Sequence, residues 1–236
     1  MLPIIVLAGG LATRLRPVSQ TLPKSLIPIN DVPFVLHQLN LFEKNGFIRV
    51  HFCLGFLGEM VEEIVVQSRF NDVLEISFSY DGDTLLGTGG AIRKVVELFE
   101  ESFFVTYGDS YLDIDFNKLE SSFQSKKTDE FVALMSVFKN NNKFDLSNVF
   151  YENGQIVLYS KFQKDARMVY IDYGVGILSK NCFLEFEQST IFDLGLIYEK
   201  LSIDGQLIGV EVFDRFYEVG TFQGINDLST YLKNKK

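Results

Sequence analysis

Two glycines that close an apolar run, followed closely by basic side chains, are the first residues of this chain with the makings of chemistry. They are Gly9-Gly10, then Arg14, Arg16 and Lys24, within the stretch LAGGLATRLRPVSQTLPKSLIPI from Leu7 to Ile29. A glycine turn at the end of a strand exposes backbone N–H groups, and cations beside it complete a cradle for a phosphate chain. Two further clusters follow the same logic: Gly87-Thr88-Gly89-Gly90 opens a helical stretch, and Gly108-Asp109 stops a buried strand. The first cluster lacks the glycine spacing of a dinucleotide-binding G-x-G-x-x-G loop. Nor is it a Walker A loop, since Pro23 stands where that motif has glycine before Lys24-Ser25.

Such residues need a scaffold that brings strand ends together. Pro3 to Ala8 reads as a strand buried on both faces, Pro33 to Gly46 as a helix, and Ile48 to Leu54 as a strand. A helix over Glu59 to Ser68, a strand over Leu74 to Tyr80, a helix from the glycine loop through Phe99 and a strand over Phe103 to Tyr107 continue the alternation. After about residue 130 the pattern becomes mixed. Phe131 to Phe138 is a strand, and Asn153-Gly154 turns a hairpin between Asn148–Tyr151 and Gln155–Tyr159. Strands at Val175–Leu178 and Gln206–Phe213 flank a helix near Asp193–Leu201, and a last helix runs from Phe222. The expectation is one α/β domain over residues 1–236, Rossmann-like and doubly wound, with a mixed sheet whose core is mainly parallel. A nucleotide-binding core covers about 1–130, a small mixed acceptor-binding subregion about 131–220, and a C-terminal helix about 222–234. Ligands of such sheets bind at the carboxyl ends of the strands, where all three glycine clusters fall.

The first stretch resembles the signature of the sugar-1-phosphate nucleotidylyltransferases, G-G-x-G-T-R-L-x-P-x-T-x-x-x-P-K-x-L-x-P-[IV]. It matches at Gly9, Gly10, Thr13, Arg14, Leu15, Pro17, Pro23, Lys24, Leu26, Pro28 and Ile29. Later segments agree in order: LGTGGAI from Leu86, YGDS from Tyr107, YSK ending at Lys161, YIDYGVGIL from Tyr170 and FYEVGT from Phe216. The resemblance implies transfer of a nucleotidyl group from an NTP to a sugar 1-phosphate, releasing pyrophosphate. It implies Arg14 and Lys24 as the catalytic cations, Arg14 on the β- and γ-phosphates and Lys24 on the α-phosphate and the incoming phosphate. Leu7, Ala8, Gly9, Gly10, Thr13, Gly87 and Thr88 would bind the nucleotide, Lys161 would contact the sugar phosphate, and Asp172 with Gly174 the sugar hydroxyls. Asp109 and Glu218 would hold Mg²⁺, the implied cofactor. The chain departs from the pattern at Ala12, where relatives carry glycine, and at Glu218, where most carry aspartate. It ends soon after the last helix without hexapeptide repeats, so the C-terminal β-helix of some relatives is not expected.

Tyr80-Asp81-Gly82-Asp83 precedes the glycine loop, and Asp83 is the carboxylate expected to accept from guanine's ring N–H and exocyclic amine. The form LGTGGAI also looks most like the guanylyltransferases that act on mannose- or heptose-type 1-phosphates, so the reading leans to GTP. Alternatives are a cytidylyl- or uridylyltransferase for another phosphorylated small molecule, and a sensor that binds nucleotide without turnover. His37, on an apolar helix face, and His51, in a strand, read as core or boundary residues; Asp113 and Asp115 read as helix caps. A net charge of −9 argues against nucleic acid or an anionic membrane as partner. The two cysteines, Cys53 and Cys182, sit in apolar contexts and are expected to be free thiols in a reducing compartment, and neither a signal peptide nor a membrane span is expected. The expectation is a cytoplasmic enzyme; the sequence leaves open whether it forms a homo-oligomer.

Overall fold

Ile4–Ala8 (β1) is an interior strand of the sheet, as its apolar residues on both sides require. Ile4 and Val6 enter one hydrophobic core, and Ile5 and Leu7 enter another on the opposite face of the sheet. The structure is a computed structural model that describes residues 1–10, 21–127 and 132–235.

A small ribbon, β2 (Pro28–Ile29) and β3 (Val32–Pro33), leads into α1 (Phe34–Lys44), β4 (Arg49–Leu54), α2 (Gly58–Val66), β5 (Glu75–Tyr80) and α3 (Gly87–Val95). Then come β6 (Ser102–Tyr107), β7 (Ser110–Tyr111) and α4 (Phe116–Lys126). The second half contains β8 (Ala133–Lys139), the hairpin β9 (Val149–Glu152) and β10 (Gln155–Tyr159), β11 (Tyr170–Ser179), α5 (Gly195–Ile203), β12 (Leu207–Val212), β13 (Tyr217–Glu218) and α6 (Phe222–Asn234). Nine strands form one sheet in the order β5-β4-β1-β6-β11-β8-β12-β10-β9. The four strands at the β5 end are mutually parallel. Beyond them β11 runs antiparallel to both β6 and β8, while β12 is parallel to β8. This is the mixed sheet with a mainly parallel core that the alternation of apolar runs predicts, and the described residues contain no β-helix.

Helices cover both faces. Phe34, Leu39 and Phe42 of α1, Val61 and Val65 of α2, Phe116, Leu119 and Phe123 of α4 and Leu228 of α6 fill one core. Ala91, Ile92 and Val95 of α3 and Ile197, Tyr198 and Leu201 of α5 fill the other. Many of the phenylalanines meet edge to face, as Phe47 does with Phe104 and Phe116 at centroid distances of 5.3 and 5.2 Å. No helix of the described residues is long and apolar enough to cross a membrane.

The structure extends the sequence reading in two places. Helix α4 is additional; its signals are an Asp115 cap, whose side chain accepts from the Lys118 N–H, and the apolar stripe Phe116, Leu119, Phe123. Strand β11 begins five residues before the expected Val175, because a register break between Asp172 and Gly176 interrupts its alternation. Gly174 sits in that break with φ +100, a conformation glycine adopts without steric cost.

Candidate active site

Strands β1, β4 and β6 end side by side, and the residues at and beyond their ends are small because the backbones converge. A Cβ on Gly108 would lie 2.6 Å from that of Ala8, and one on Gly55 would lie 2.6 Å from the Gly9 carbonyl oxygen. The floor at the strand ends is therefore mostly backbone, suited to close approach by a ligand. Above it lies a cavity of about 220 Å³. Leu7, Ala8, Gly9 and Gly10 line one side; Gly87, Thr88 and Ala91, from the start of α3, line another. Lys24, Ser25 and the Tyr107-Gly108-Asp109 turn complete it.

The charged pair at this turn is built from segments far apart in sequence. Lys24 opens a 3₁₀ turn over Lys24–Leu26, and its Nζ donates to Asp109 Oδ2 at 2.7 Å. Asp109 is held by its neighbours' backbone. Ser25 Oγ donates to the Gly108 carbonyl at 2.9 Å, and the buried Gln38 Nε2 donates to the carbonyls of Tyr107 and Ser110 at 2.9 and 2.7 Å. Sequence reasoning passes over Gln38 and Ser25; the signal for Gln38 is a polar side chain on the apolar face of α1.

Strand β13 brings in the last segment. Glu218 pairs with Ser110 of β7, and the Val219 N–H donates to the Asp109 carbonyl at 2.9 Å. Gly220 follows, so close that a Cβ there would lie 3.6 Å from Lys24 Nζ and 4.0 Å from Asp109 Oδ2. Glu218 on β13 thus stands beside the turn that carries Asp109. A pair of carboxylates is a donor set of the kind Mg²⁺ takes, and the described residues contain no group of three acidic, His or Cys side chains that would make a fuller metal site. That ion takes one or two carboxylates and fills its other positions with phosphate oxygens and water.

Asp83 does not fall where the sequence predicts. It is exposed and is not among the residues lining the cavity; the carboxylate on that rim is Asp81. Asp81 Oδ2 accepts from the Leu86 N–H at 3.2 Å, and burial pushes its pKa up against that bond and the nearby Lys94 charge. The sequence offers two aspartates two residues apart, and only the course of the chain after β5 separates them. Arg14 and Thr13 lie outside the described residues.

Lys161, Asp172 and Gly174 are not among the residues that line this cavity. Lys161 borders a neighbouring cleft of about 740 Å³ with Asn148, Ser160 and Gln163. Its Nζ donates to Asp193 Oδ1 at 2.6 Å. Burial pushes the Asp172 carboxyl up to about 6, although the Gly174 N–H donates to its Oδ1 at 3.0 Å and Lys161 opposes the shift. Thr106, beside the cavity-lining Tyr107, donates from its Oγ1 to the Gly174 carbonyl at 3.0 Å, so the two regions adjoin. Neither histidine lines the cavity: His37 Nε2 lies 2.9 Å from the Ile29 carbonyl. His51 is held between the hydroxyls of Ser77 and Ser79, with burial lowering its pKa to about 4. Both cysteines are free, and burial pushes the Cys53 thiol up to about 12.

Comparison with known proteins agrees with this geometry. The family model described as "Nucleotidyl transferase" matches residues 3–144. A D-glycero-alpha-D-manno-heptose 1-phosphate guanylyltransferase from Campylobacter jejuni is 28% identical over 183 residues, covering 77% of this chain and 78% of the relative. A UTP–glucose-1-phosphate uridylyltransferase from Synechocystis is 31% identical over 123 residues, covering 47% of this chain and 31% of that longer protein. Among solved structures, HddC from Yersinia pseudotuberculosis superimposes with a TM-score of 0.83 at 21% identity, over 98% of this chain and 100% of that one; this likeness speaks for the fold. With the family model covering more than half of the chain, and the strand-end cavity in place, the chain belongs to the nucleotidyl transferase family and is an enzyme of that class.

Proposed function

We propose that this enzyme transfers a guanylyl group from GTP to a mannose- or heptose-type sugar 1-phosphate, releasing pyrophosphate. The observation that carries the reading is the strand-end cavity itself, with the Lys24–Asp109 pair on one wall and the Asp81 carboxylate among the residues around it. An ionised carboxylate only accepts hydrogen bonds, so it selects a base edge with adjacent donors. Guanine offers a ring N–H beside an amine, whereas uracil and thymine offer one N–H between two carbonyls. The heptose and mannose guanylyltransferases among the relatives support the same choice, and the uridylyltransferase supports UTP as the alternative donor.

The acceptor phosphate has a second pKa of about 6 and is mostly dianionic at neutral pH. Its oxygen attacks the α-phosphorus in line; the new P–O bond forms as the bond to the β-phosphate breaks, and pyrophosphate leaves with the electron pair. No general base is needed, in keeping with two histidines that lie outside the cavity. The task of the side chains is to hold repelling anions in register and to stabilise the leaving charge. Lys24 serves the α-phosphate, Arg14 the leaving pyrophosphate, and Lys161 the acceptor phosphate. Asp109 and Glu218 would hold Mg²⁺, which when bound supplies positive charge between the phosphates.

A pyrophosphate-release screen of the four NTPs against mannose, heptose and glucose 1-phosphates tests the substrate assignment. Preference for GTP with a mannose-type acceptor is expected; preference for UTP or CTP would remove the guanine assignment and keep the reaction class. Nucleotide binding without any pyrophosphate release would favour a sensor. In the same assay, chelation should abolish turnover and Mg²⁺ restore it. Glu218→Gln should be nearly inactive, whereas Glu218→Asp should keep part of the activity with a raised metal requirement. Full activity of Glu218→Gln at low Mg²⁺ would take this residue out of the metal site.

A further inference from the structure

The glycines at the start of α3 do more than border the cavity. The segment from Thr190 to Leu194 docks directly on them. Gly89 and Gly90 N–H groups donate to the Phe192 carbonyl at 3.0 and 3.2 Å, and the Phe192 N–H donates to the Leu86 carbonyl at 3.1 Å. The Leu194 N–H donates to Thr88 Oγ1 at 2.8 Å. A Cβ on Gly87 would lie 2.5 Å from the Phe192 carbonyl oxygen, one on Gly89 2.2 Å from the Phe192 ring, and one on Gly90 2.4 Å from the Thr190 carbonyl oxygen. Three side chains are missing here because another piece of the chain occupies their space.

Asp193 sits in the middle of that docked segment, with its carboxylate between the Thr88 hydroxyl and Lys161. Its Oδ1 accepts from Lys161 Nζ at 2.6 Å and from the Gly195 N–H at 2.7 Å. The Lys161 stem crosses the start of α5: a Cβ on Gly195 would lie 3.1 Å from Lys161 Cε and 3.4 Å from Cδ. Burial pushes the Asp193 carboxyl up, but the hydrogen bond and charge of Lys161, the Gly195 N–H and the Thr88 hydroxyl outweigh it and leave the carboxyl below its usual range.

We propose that Asp193 is the positioning residue that fixes Lys161 for the acceptor phosphate, using the glycine loop of the nucleotide cavity as its anchor. This rests on the reading of Lys161 as an acceptor-phosphate ligand. A lysine ammonium is a point charge with three donors on a flexible four-carbon stem, so it needs a fixed partner to be aimed. With one donor spent on Asp193, two remain for phosphate oxygens. The pair is half exposed and adds little to stability, so its loss changes where Lys161 points rather than whether the chain folds. Because Asp193 and the loop share one short segment, the distance between the acceptor phosphate and the α-phosphate is set by a few hydrogen bonds.

The test is equilibrium binding of α-D-mannose 1-phosphate and, separately, of α,β-methylene GTP to the intact chain, with circular dichroism as the fold check. Asp193→Ala should weaken mannose 1-phosphate about tenfold or more, the scale expected when a positioned group is misplaced. Asp193→Asn, which keeps an acceptor oxygen, should lose less, and both should bind the GTP analogue within about twofold of wild type. Gly89→Ala should also weaken the sugar phosphate, and adding Phe192→Ala, which removes the clashing ring, should restore part of the loss. A folded Asp193→Ala or Asp193→Asn that binds mannose 1-phosphate as well as wild type, or tighter, would overturn the proposal, the latter by showing that the carboxylate competes with the ligand. Lys161→Ala separates the two levels. Loss of binding there, with none in Asp193→Ala, removes the positioning role alone; unchanged binding removes the reading of Lys161 and the inference with it.

Discussion

Lys24 and Asp109, 85 residues apart in sequence, share a hydrogen bond of 2.7 Å, and that contact defines the chemistry of the cavity at the scale of residues. The lysine is a preorganised cation whose partner and backbone supports are fixed by Ser25, Gln38 and the Gly108-Asp109 turn. Losing one such charge stabiliser typically lowers turnover by about 10²–10³. Lys24→Ala is therefore expected to fall by that amount with its fold intact by circular dichroism; a folded variant turning over at the wild-type rate would refute the assignment. The two aspartates before α3 should separate cleanly. Asp81→Asn is expected to weaken the preference for GTP by about 1–3 kcal/mol, because a buried donor pair loses its acceptor. The exposed Asp83→Asn should leave it unchanged, and competition among the four NTPs reads both. The opposite ranking would return base selection to Asp83.

At the scale of elements, the site depends on how loops dock rather than on helix or strand propensity. Gly90 lies inside α3, where alanine would normally favour the helix by about 1 kcal/mol. Its Cβ would instead lie 2.4 Å from the Thr190 carbonyl oxygen, a backbone atom that cannot swing aside. Gly90→Ala should therefore destabilise the protein, by about 1–3 kcal/mol as overpacking does, measured as a shift in the urea midpoint. A stabilised variant would mean that the 190–194 segment is not seated as described. Strand β11 depends on context in the same way, since its pairing with β8 breaks between Asp172 and Gly176 where alternation alone would continue the ladder.

At the scale of the whole molecule, a nine-stranded sheet between two helical layers leaves Asp172 partly buried at a position that no local feature marks as unusual. Burial pushes Asp172 up to about 6, from an ordinary value of 3.8. Its folded pKa is above its unfolded one, so folding favours the protonated form. That favourable contribution is present below the unfolded pKa and is lost as pH rises through the folded one. At neutral pH the buried charge then costs about 2–3 kcal/mol. Asp172→Asn is expected to match wild type near pH 4 and to become more stable than it above pH 6, in urea unfolding at pH 4, 6 and 8. Parallel stability curves for the two proteins would show that Asp172 carries no buried charge.

Much of this molecule is legible in its amino-acid sequence, for local reasons. The apolar runs fix the strands, because a segment apolar on both sides has to be central; Ile4–Ala8 is the clearest case. The glycine clusters after β1, before α3 and after β6 announce a ligand at the strand ends, since glycine there leaves room for backbone to approach an anion. Lys24, Asp109, Leu7, Ala8, Gly9, Gly10, Gly87 and Thr88 are all found around one cavity. What the sequence could not decide are contacts between segments distant along the chain. Which of Asp81 and Asp83 faces the cavity depends on where the chain turns after β5. That Asp193 holds Lys161, and that Gly89 and Gly90 are small to admit Phe192 and Thr190, depends on two loops meeting from opposite halves of the sheet. Propensity and periodicity act over a few residues, whereas docking is settled by packing across the whole fold.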